Sequence, residues 1–368
     1  MGRTLLPLAA CALLTTLWTL HRRPPAAFWK APCPMRSLWN QDLLQEQQRR
    51  PRRHPPAWHP GPGVPPACGP DLDVAVRVAD YHLLPQSMKD FLLYRHCRRY
   101  PLLLEPRDLC GPDGDPRLLL AIKSQASSFT RRQAIRQTWG GLGWAWDVGL
   151  VFLLGQEEEE GGGLSSLLAC ESRRFGDLLQ WAFHDTFLNL TLKEVLFLPW
   201  LLHRCPSTRY IFKGDDDVFV NTPGLLAYLD SEQAQGLNLF LGDAIFRGRP
   251  CRNASLKYYV PGAFYSGLYP PYAGGAGVLY TGHLARQLEW ASRALPLFPI
   301  DDVFTGMCLR SLGLVPTHHP GFRSFGINAS ERWEPCIYRR LFMVHRHSPQ
   351  EMLLLWSLLQ QQGNVSCG

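Results

Sequence analysis

The first run of apolar positions, Leu5 to Leu20, is sixteen residues long, uncharged and flanked by Arg3 on one side and His21, Arg22 and Arg23 on the other. As a helix it would span about 24 Å, enough for a thin early-secretory bilayer. An uncleaved anchor is favoured over a cleaved signal peptide, because Arg22-Arg23-Pro24-Pro25 follows in place of a small-residue cleavage site. Residues 1–4 then form a short cytoplasmic tail. From His21 to Pro70 there are twelve Pro and little aliphatic periodicity, so that segment reads as an extended, weakly ordered spacer; the composition changes from about Asp71, and the Pro-rich stem is taken as residues 21–90. Short apolar runs then alternate with amphipathic segments. Arg117–Lys123, Gly149–Gly155 and Arg209–Lys213 read as buried strands, Phe129–Trp139 and Asn189–Leu202 as helices, and Thr222-Pro223 as the start of another helix with Thr222 as its N-cap. The segment 157–163, four Glu followed by three Gly, reads as a solvated loop. The alternation predicts an α/β unit over residues 91–368, a mainly parallel sheet with helices on both faces and with ligands at the carboxyl ends of the strands.

Charge changes this picture only at the amino end. The chain of 368 residues has a formal charge of +7. Residues 1–70 hold nine Lys+Arg and two Asp+Glu, which is the whole of that excess; the remainder has 29 of each sign. A nucleic-acid surface on the folded part is therefore not expected. Eleven Cys together with Asn-X-Ser/Thr sequons at Asn189, Asn253, Asn328 and Asn364 point to the oxidising secretory pathway. Setting aside Cys11, Cys33 and Cys68 leaves eight Cys from Cys97 onward, enough for four bridges, with Cys97–Cys110 the expected pair in the short segment before the first core strand.

The most informative chemistry follows the third strand. Asp215, Asp216 and Asp217 are delivered together at a strand's carboxyl end, where their mutual repulsion invites a divalent cation. Alternation puts Asp215 and Asp217 on one face and Asp216 on the other. Oxygen ligands suit Mn²⁺ or Mg²⁺. Strand followed by Asp-X-Asp resembles the diphosphate-metal motif of nucleotide-sugar glycosyltransferases with the GT-A fold. Arg131–Gly140, Phe212–Asn221, Lys257–Pro261, Tyr269–Gly277, Phe298–Cys308 and Glu334–Arg346 occur in order over some 215 residues. Tyr94–Leu103 and Asp177–Glu194 extend the match. Together they resemble the β-1,3-glycosyltransferase family, most of all its β-1,3-N-acetylglucosaminyltransferase branch.

The resemblance implies that Asp215 and Asp217 hold the metal on the donor diphosphate with His345 as third protein ligand, and that Asp216 lies nearer the ribose or sugar. Asp301 and Asp302 match the position of the catalytic base, with Asp301 capping a helix and Asp302 reaching the site. Lys123, Arg131, Arg132, Arg136 and Trp139 fall beside the nucleotide. Gly274, Gly275, Ala276 and Gly277 let the donor sugar lie against the main chain, Ala276 standing where the family usually has Gly. Lys257 and Tyr272 fall on the acceptor side. The expected reaction is inverting transfer of N-acetylglucosamine from a UDP-sugar to a terminal galactose or GalNAc of a glycoprotein or glycolipid glycan, in the Golgi membrane, by a type II protein with a lumenal catalytic domain; a homo- or heterodimer is compatible with this. Transfer of galactose on the same fold and a membrane-anchored glycan-binding protein without turnover are the competing readings.

Overall fold

A computed structural model describes residues 37–49, 68–110, 114–142, 147–157, 163–231, 234 and 236–361. The strands, in chain order, are β1 (Leu102–Leu104), β2 (Leu118–Lys123), β3 (Val148–Gln156), β4 (Leu178–His184), β5 (Tyr210–Asp215), β6 (Val218–Val220), β7 (Phe240–Ile245), β8 (Tyr272–Thr281), β9 (Thr317–His318), β10 (Phe322–Arg323) and β11 (Met343–His345). Eight of them form one sheet in the order β1-β4-β3-β2-β5-β8-β7-β9, and β10-β11-β6 form a small second sheet.

β4, β3, β2 and β5 run parallel, whereas β8 is antiparallel to both β5 and β7. Because β7 and β9 run with β5, six of the eight strands share one direction and the sheet is mainly parallel, with β8 and the edge strand β1 reversed. The physical reason for the reversal of β8 lies between β7 and β8, where residues 246–271 contain no helix; without a crossover helix two neighbouring strands pair antiparallel. In the parallel half both faces are covered. Leu118, Leu120, Ile122 and Phe212 enter one core, and Leu119, Ala121 and Ile211 enter the other. All six residues of β2 are buried, as expected for a strand with no wet face. The two long apolar-faced helices Leu190–Arg204 and Gly282–Ala294 cover the second face.

Three expectations about local structure need correcting. The stem is not uniformly extended. Leu38–Arg49 is a helix whose first residues, Leu38 and Trp39, are buried. Their backbone N–H groups donate to Ala263 O (2.9 Å) and Phe264 O (2.8 Å), and the Trp39 ring packs edge-on against Tyr265 and Phe298. The helices Val74–Arg77 and Gln86–Tyr94 also belong to the folded body, burying Val74, Met88, Phe91 and Leu92. Leu38 and Trp39 are a pair of apolar residues that find a slot in the body. The apolar run Leu5–Leu20 lies outside the described residues; among those described, no helix is long and apolar enough to cross a membrane.

Among the described residues the disulfides are Cys68–Cys97 and Cys110–Cys205, not Cys97–Cys110. After Cys97 the chain runs out along the sheet edge as β1, so Cys110 returns beside the carboxyl end of the helix Leu190–Arg204, where Cys205 is the capping residue. Cys170 and Cys308 are thiols, so the eight Cys from Cys97 onward do not close into four bridges. Finally, Asn221 caps the helix Thr222–Leu229, its Oδ1 accepting from Gly224 N at 3.0 Å. Thr222 stands one place inside and donates to Trp139 O at 2.8 Å.

Candidate active site

The order of the sheet reverses at β2: the chain moves outward from it through β3 and β4, then returns to its other side as β5. A crevice at such a reversal is where α/β sheets bind ligands. The register opposes Lys123, the last residue of β2, to Asp215, the last residue of β5. The buried Lys123 ammonium lies 2.9 Å from Asp215 Oδ1 and 2.7 Å from Asp301 Oδ2, and donates to Gly275 O at 3.2 Å. Burial opposes that charge, yet the two carboxylates outweigh it and hold the ammonium above its ordinary pKa. One side chain thus ties the Asp215–Asp217 turn to the Asp301-Asp302 pair.

β5 ends in a turn that reverses into β6, and β6 pairs antiparallel with β11 so that His345 opposes Val218. This pairing, 127 residues apart in sequence, brings His345 to the carboxylates. Ligand atoms of Asp215, Asp217 and His345 lie within 4.8 Å of one another. His345 Nδ1 is 2.8 Å from Ser324 O, a carbonyl that can only accept, so Nδ1 donates there; in the protonated ring Nε2 donates as well, and in the neutral ring Nε2 is the nitrogen left to ligate a cation. Nε2 lies 3.1 Å from Asp217 Oδ1. Burial raises the Asp217 carboxyl, but its hydrogen bond to His345 outweighs this and leaves the pKa below the usual value. Two carboxylates and an oriented imidazole, converging at the mouth of a crevice, form a donor set that fits Mn²⁺ or Mg²⁺.

Asp216 turns away from that set. Its Oδ2 accepts from Ser124 Oγ at 2.7 Å and its Oδ1 lies 3.4 Å from Arg131 Nη1. Arg131, partly exposed, is also 3.7 Å from Asp217 Oδ2 and so lies at the edge of the crevice.

Asp301 and Asp302 open the helix Asp301–Ser311, where the helix dipole favours negative charge. Neither acts as a cap in the expected sense: Ile300 is the N-cap and makes no side-chain bond, while Asp301 is spent on Lys123. Burial disfavours the Asp301 charge, but Lys123 and Lys213 overcome it and keep the carboxyl ionised below its usual range. Asp302 has no ion pair among the described residues. It accepts from Gly275 N (3.2 Å, Oδ2) and Val303 N (2.7 Å, Oδ1) and is half-buried. Burial and then the neighbouring Asp301 charge push its pKa to about 7. A carboxylate poised there suits a general base working near neutral pH.

The glycine run lies close against side chains of the site. Gly275 backs onto Asp302, where an added Cβ would touch the Asp302 Cβ at 3.4 Å, and at Gly274 one would meet Ser324 Oγ at 2.9 Å. Ala276 is buried in the core cluster that also holds Phe212 and Met343, so its methyl is packed against protein. Tyr272 is half-buried and feels the Asp302 charge. Lys257 is exposed, its Nζ 4.9 Å from the Phe187 ring and 5.0 Å from Tyr258.

Arg132, Arg136 and Trp139 are corrections. Arg132 is fully buried, pairs with both oxygens of Glu171 (2.8 and 2.7 Å) and donates to Ser124 Oγ at 3.2 Å and Ala126 O at 2.9 Å. Arg136 grips Asp177 at 2.7 and 2.8 Å, and Trp139 is core. The helical spacing that suggested one basic face does not distinguish a solvent-facing Arg from one paired inside. Lys193 was not anticipated at all. It is buried, 2.8 Å from Asp185 Oδ2, and donates to Ser124 O at 2.6 Å, fixing the loop after β2 beneath the site. Its only sequence signal is a lone Lys on the apolar face of the helix Leu190–Arg204. Of the sequons, Asn253 and Asn328 are exposed, Asn189 is half-buried with Nδ2 donating to His184 O at 2.9 Å, and Asn364 lies outside the described residues.

Residues 130–320 match the family model described as galactosyltransferase. The chain is 46% identical over 355 residues to human N-acetyllactosaminide beta-1,3-N-acetylglucosaminyltransferase 2, covering 92% of this chain and 88% of that one. It is 47% identical over 299 residues to rat UDP-GlcNAc:betaGal beta-1,3-N-acetylglucosaminyltransferase 7, covering 77% and 73%. It is 44% identical over 301 residues to human acetylgalactosaminyl-O-glycosyl-glycoprotein beta-1,3-N-acetylglucosaminyltransferase, covering 78% of each. With the matched segment holding both carboxylate clusters, the chain belongs to the galactosyltransferase family, on its β-1,3-N-acetylglucosaminyltransferase side.

Proposed function

We propose that this protein transfers N-acetylglucosamine from UDP-GlcNAc, with inversion, to the 3-hydroxyl of a terminal galactose or GalNAc on a glycoprotein or glycolipid glycan. The observation that carries the reading is the Lys123 bridge: it joins the diphosphate-metal end of the crevice to a carboxylate pair of which one member, Asp302, keeps no cation of its own. Asp302 accepts the proton of the acceptor hydroxyl as that oxygen attacks C1 of the α-linked donor sugar, giving a β linkage. Gly275 N–H holds Oδ2 in place, while Asp301, neutralised by Lys123, stays ionised and keeps Asp302 basic. Asp215, Asp217 and His345 would hold Mn²⁺ or Mg²⁺, which when bound offsets the charge of the departing UDP. Arg131 and Asp216 border the nucleotide.

The four sequons, the Cys content and the uncharged run Leu5–Leu20 support a single-pass type II protein of the Golgi membrane with this unit in the lumen. Incubation with UDP-GlcNAc, UDP-GalNAc and UDP-Gal over acceptors ending in Gal, GalNAc and GlcNAc tests the reading. GlcNAc transfer to Gal- or GalNAc-ended acceptors with a β-1,3 product is expected; exclusive use of UDP-Gal, or hydrolysis without transfer, would refute it.

A further inference from the structure

The connection from β7 to β8 carries a concentration of positive charge that the reaction as described does not use. Residues 246–258 contain Arg247, Arg249, Arg252 and Lys257 and no Asp or Glu, in a chain whose residues after 70 are neutral overall. Arg252 is spent internally, donating to the carbonyls of Val260 and Tyr265 and so fixing the loop. Arg247 and Arg249 are exposed and have no ion pair or hydrogen bond to protein among the described residues. Around these cations lie exposed aromatic faces. Phe246 and Tyr258 are each 49% exposed, and Tyr258 meets Phe187 edge-on at 5.1 Å with the Lys257 ammonium over both rings.

This surface adjoins the acceptor side. Gly248, between the two free arginines, accepts from Tyr269 N at 3.0 Å, and a Cβ on Gly248 would strike the Tyr272 ring at 2.6 Å. Tyr272 in turn feels both Asp302 and Tyr258. A glycan whose terminal hydroxyl reaches Asp302 would extend past Tyr272 onto this loop. Aromatic faces there suit the apolar faces of pyranose rings, and unpaired guanidinium groups suit oxyanions, which they bind bidentately.

We infer that the acceptors this enzyme prefers are anionic glycans, bearing a sulfate ester or a carboxylate inward from the reacting sugar, and that Arg247 and Arg249 select them. The inference rests on the transfer reaction proposed above. Rates are compared for a neutral galactose-ended oligosaccharide, for the same chain sulfated on the penultimate sugar, and for the same chain with a carboxylate-bearing sugar on an inner branch. At low ionic strength kcat/KM for at least one anionic acceptor should exceed the neutral one by about fivefold, through KM. The advantage should shrink in 0.5 M salt to about twofold or less, and Arg247→Gln/Arg249→Gln should abolish it while leaving the neutral acceptor unchanged. Whichever anion gains identifies the source. Equal use of neutral and anionic acceptors, or a preference that survives the double substitution, overturns this inference alone; absence of transfer to every acceptor overturns the reaction and the inference with it.

Discussion

The two carboxylate clusters are built from the same residue and do opposite things. At the end of β5 three Asp are distributed among partners: Asp215 to Lys123, Asp216 to Ser124 and Arg131, Asp217 to His345. At the start of the helix Asp301–Ser311 Lys123 pairs with Asp301, whose charge Lys213 also supports, so Asp302 is left with backbone N–H donors and a pKa of about 7. In the proposed reaction the cluster with shared-out partners would hold the cation, and the carboxylate left without one would serve as the base. The difference lies in how many positive groups the fold supplies and to whom.

Removing ligands should break the first cluster most. Asp217→Ala is expected to weaken Mn²⁺-dependent UDP binding by more than about tenfold, with His345→Gln in the range of about 10 to 100-fold. Calorimetric titration of UDP with and without Mn²⁺ checks this, and wild-type affinity in either variant would contradict the assignment.

Lys123→Met tests the link between the clusters. It strands Asp301 as a buried charge without its cation, at a cost of about 3–5 kcal/mol, read as a loss of midpoint in urea unfolding. Adding Asp301→Asn to the same chain should recover most of that stability without recovering activity. If the single variant is as stable as wild type, Lys123 does not hold the pair together.

The withheld partner predicts a pH profile. A base must be unprotonated, so log kcat/KM should rise with unit slope from acid pH and level off above about 7. A profile flat between pH 5 and 8 would remove Asp302 from that role. The smallest effect is on stability. The folded-state pKa of Asp302 lies above its unfolded value of 3.8, so the folded protein binds the extra proton between there and about 7 and loses stability as pH rises through that window. Asp302→Asn, having no such charge, should therefore melt at or above the wild-type temperature at pH 8.

Much of the frame is legible in the chain. The runs that became β2, β3 and β5 are apolar on both faces, and an Asp triplet at the end of such a strand points to a cation without any fold in hand. What depends on contacts between distant segments is not legible. His345 enters the site only because β11 pairs with β6, and its position in the sequence carries no such information beyond the family resemblance. Arg132 and Arg131 are neighbours on one helix, yet one is fully buried against Glu171 and the other reaches the crevice. The Trp39 slot likewise exists only when Tyr265 and Phe298 are assembled around it, which is why a proline-rich stretch concealed a docked helix.

The central claim, that the site separates a metal-holding cluster from a base, is tested most directly by measuring transfer rate and Mn²⁺-dependent UDP affinity on one preparation of Asp302→Asn. The rate should fall by roughly 10² to 10⁴-fold while the affinity stays within about twofold of wild type. Retained transfer, or a loss of UDP affinity in step with the loss of rate, would contradict it.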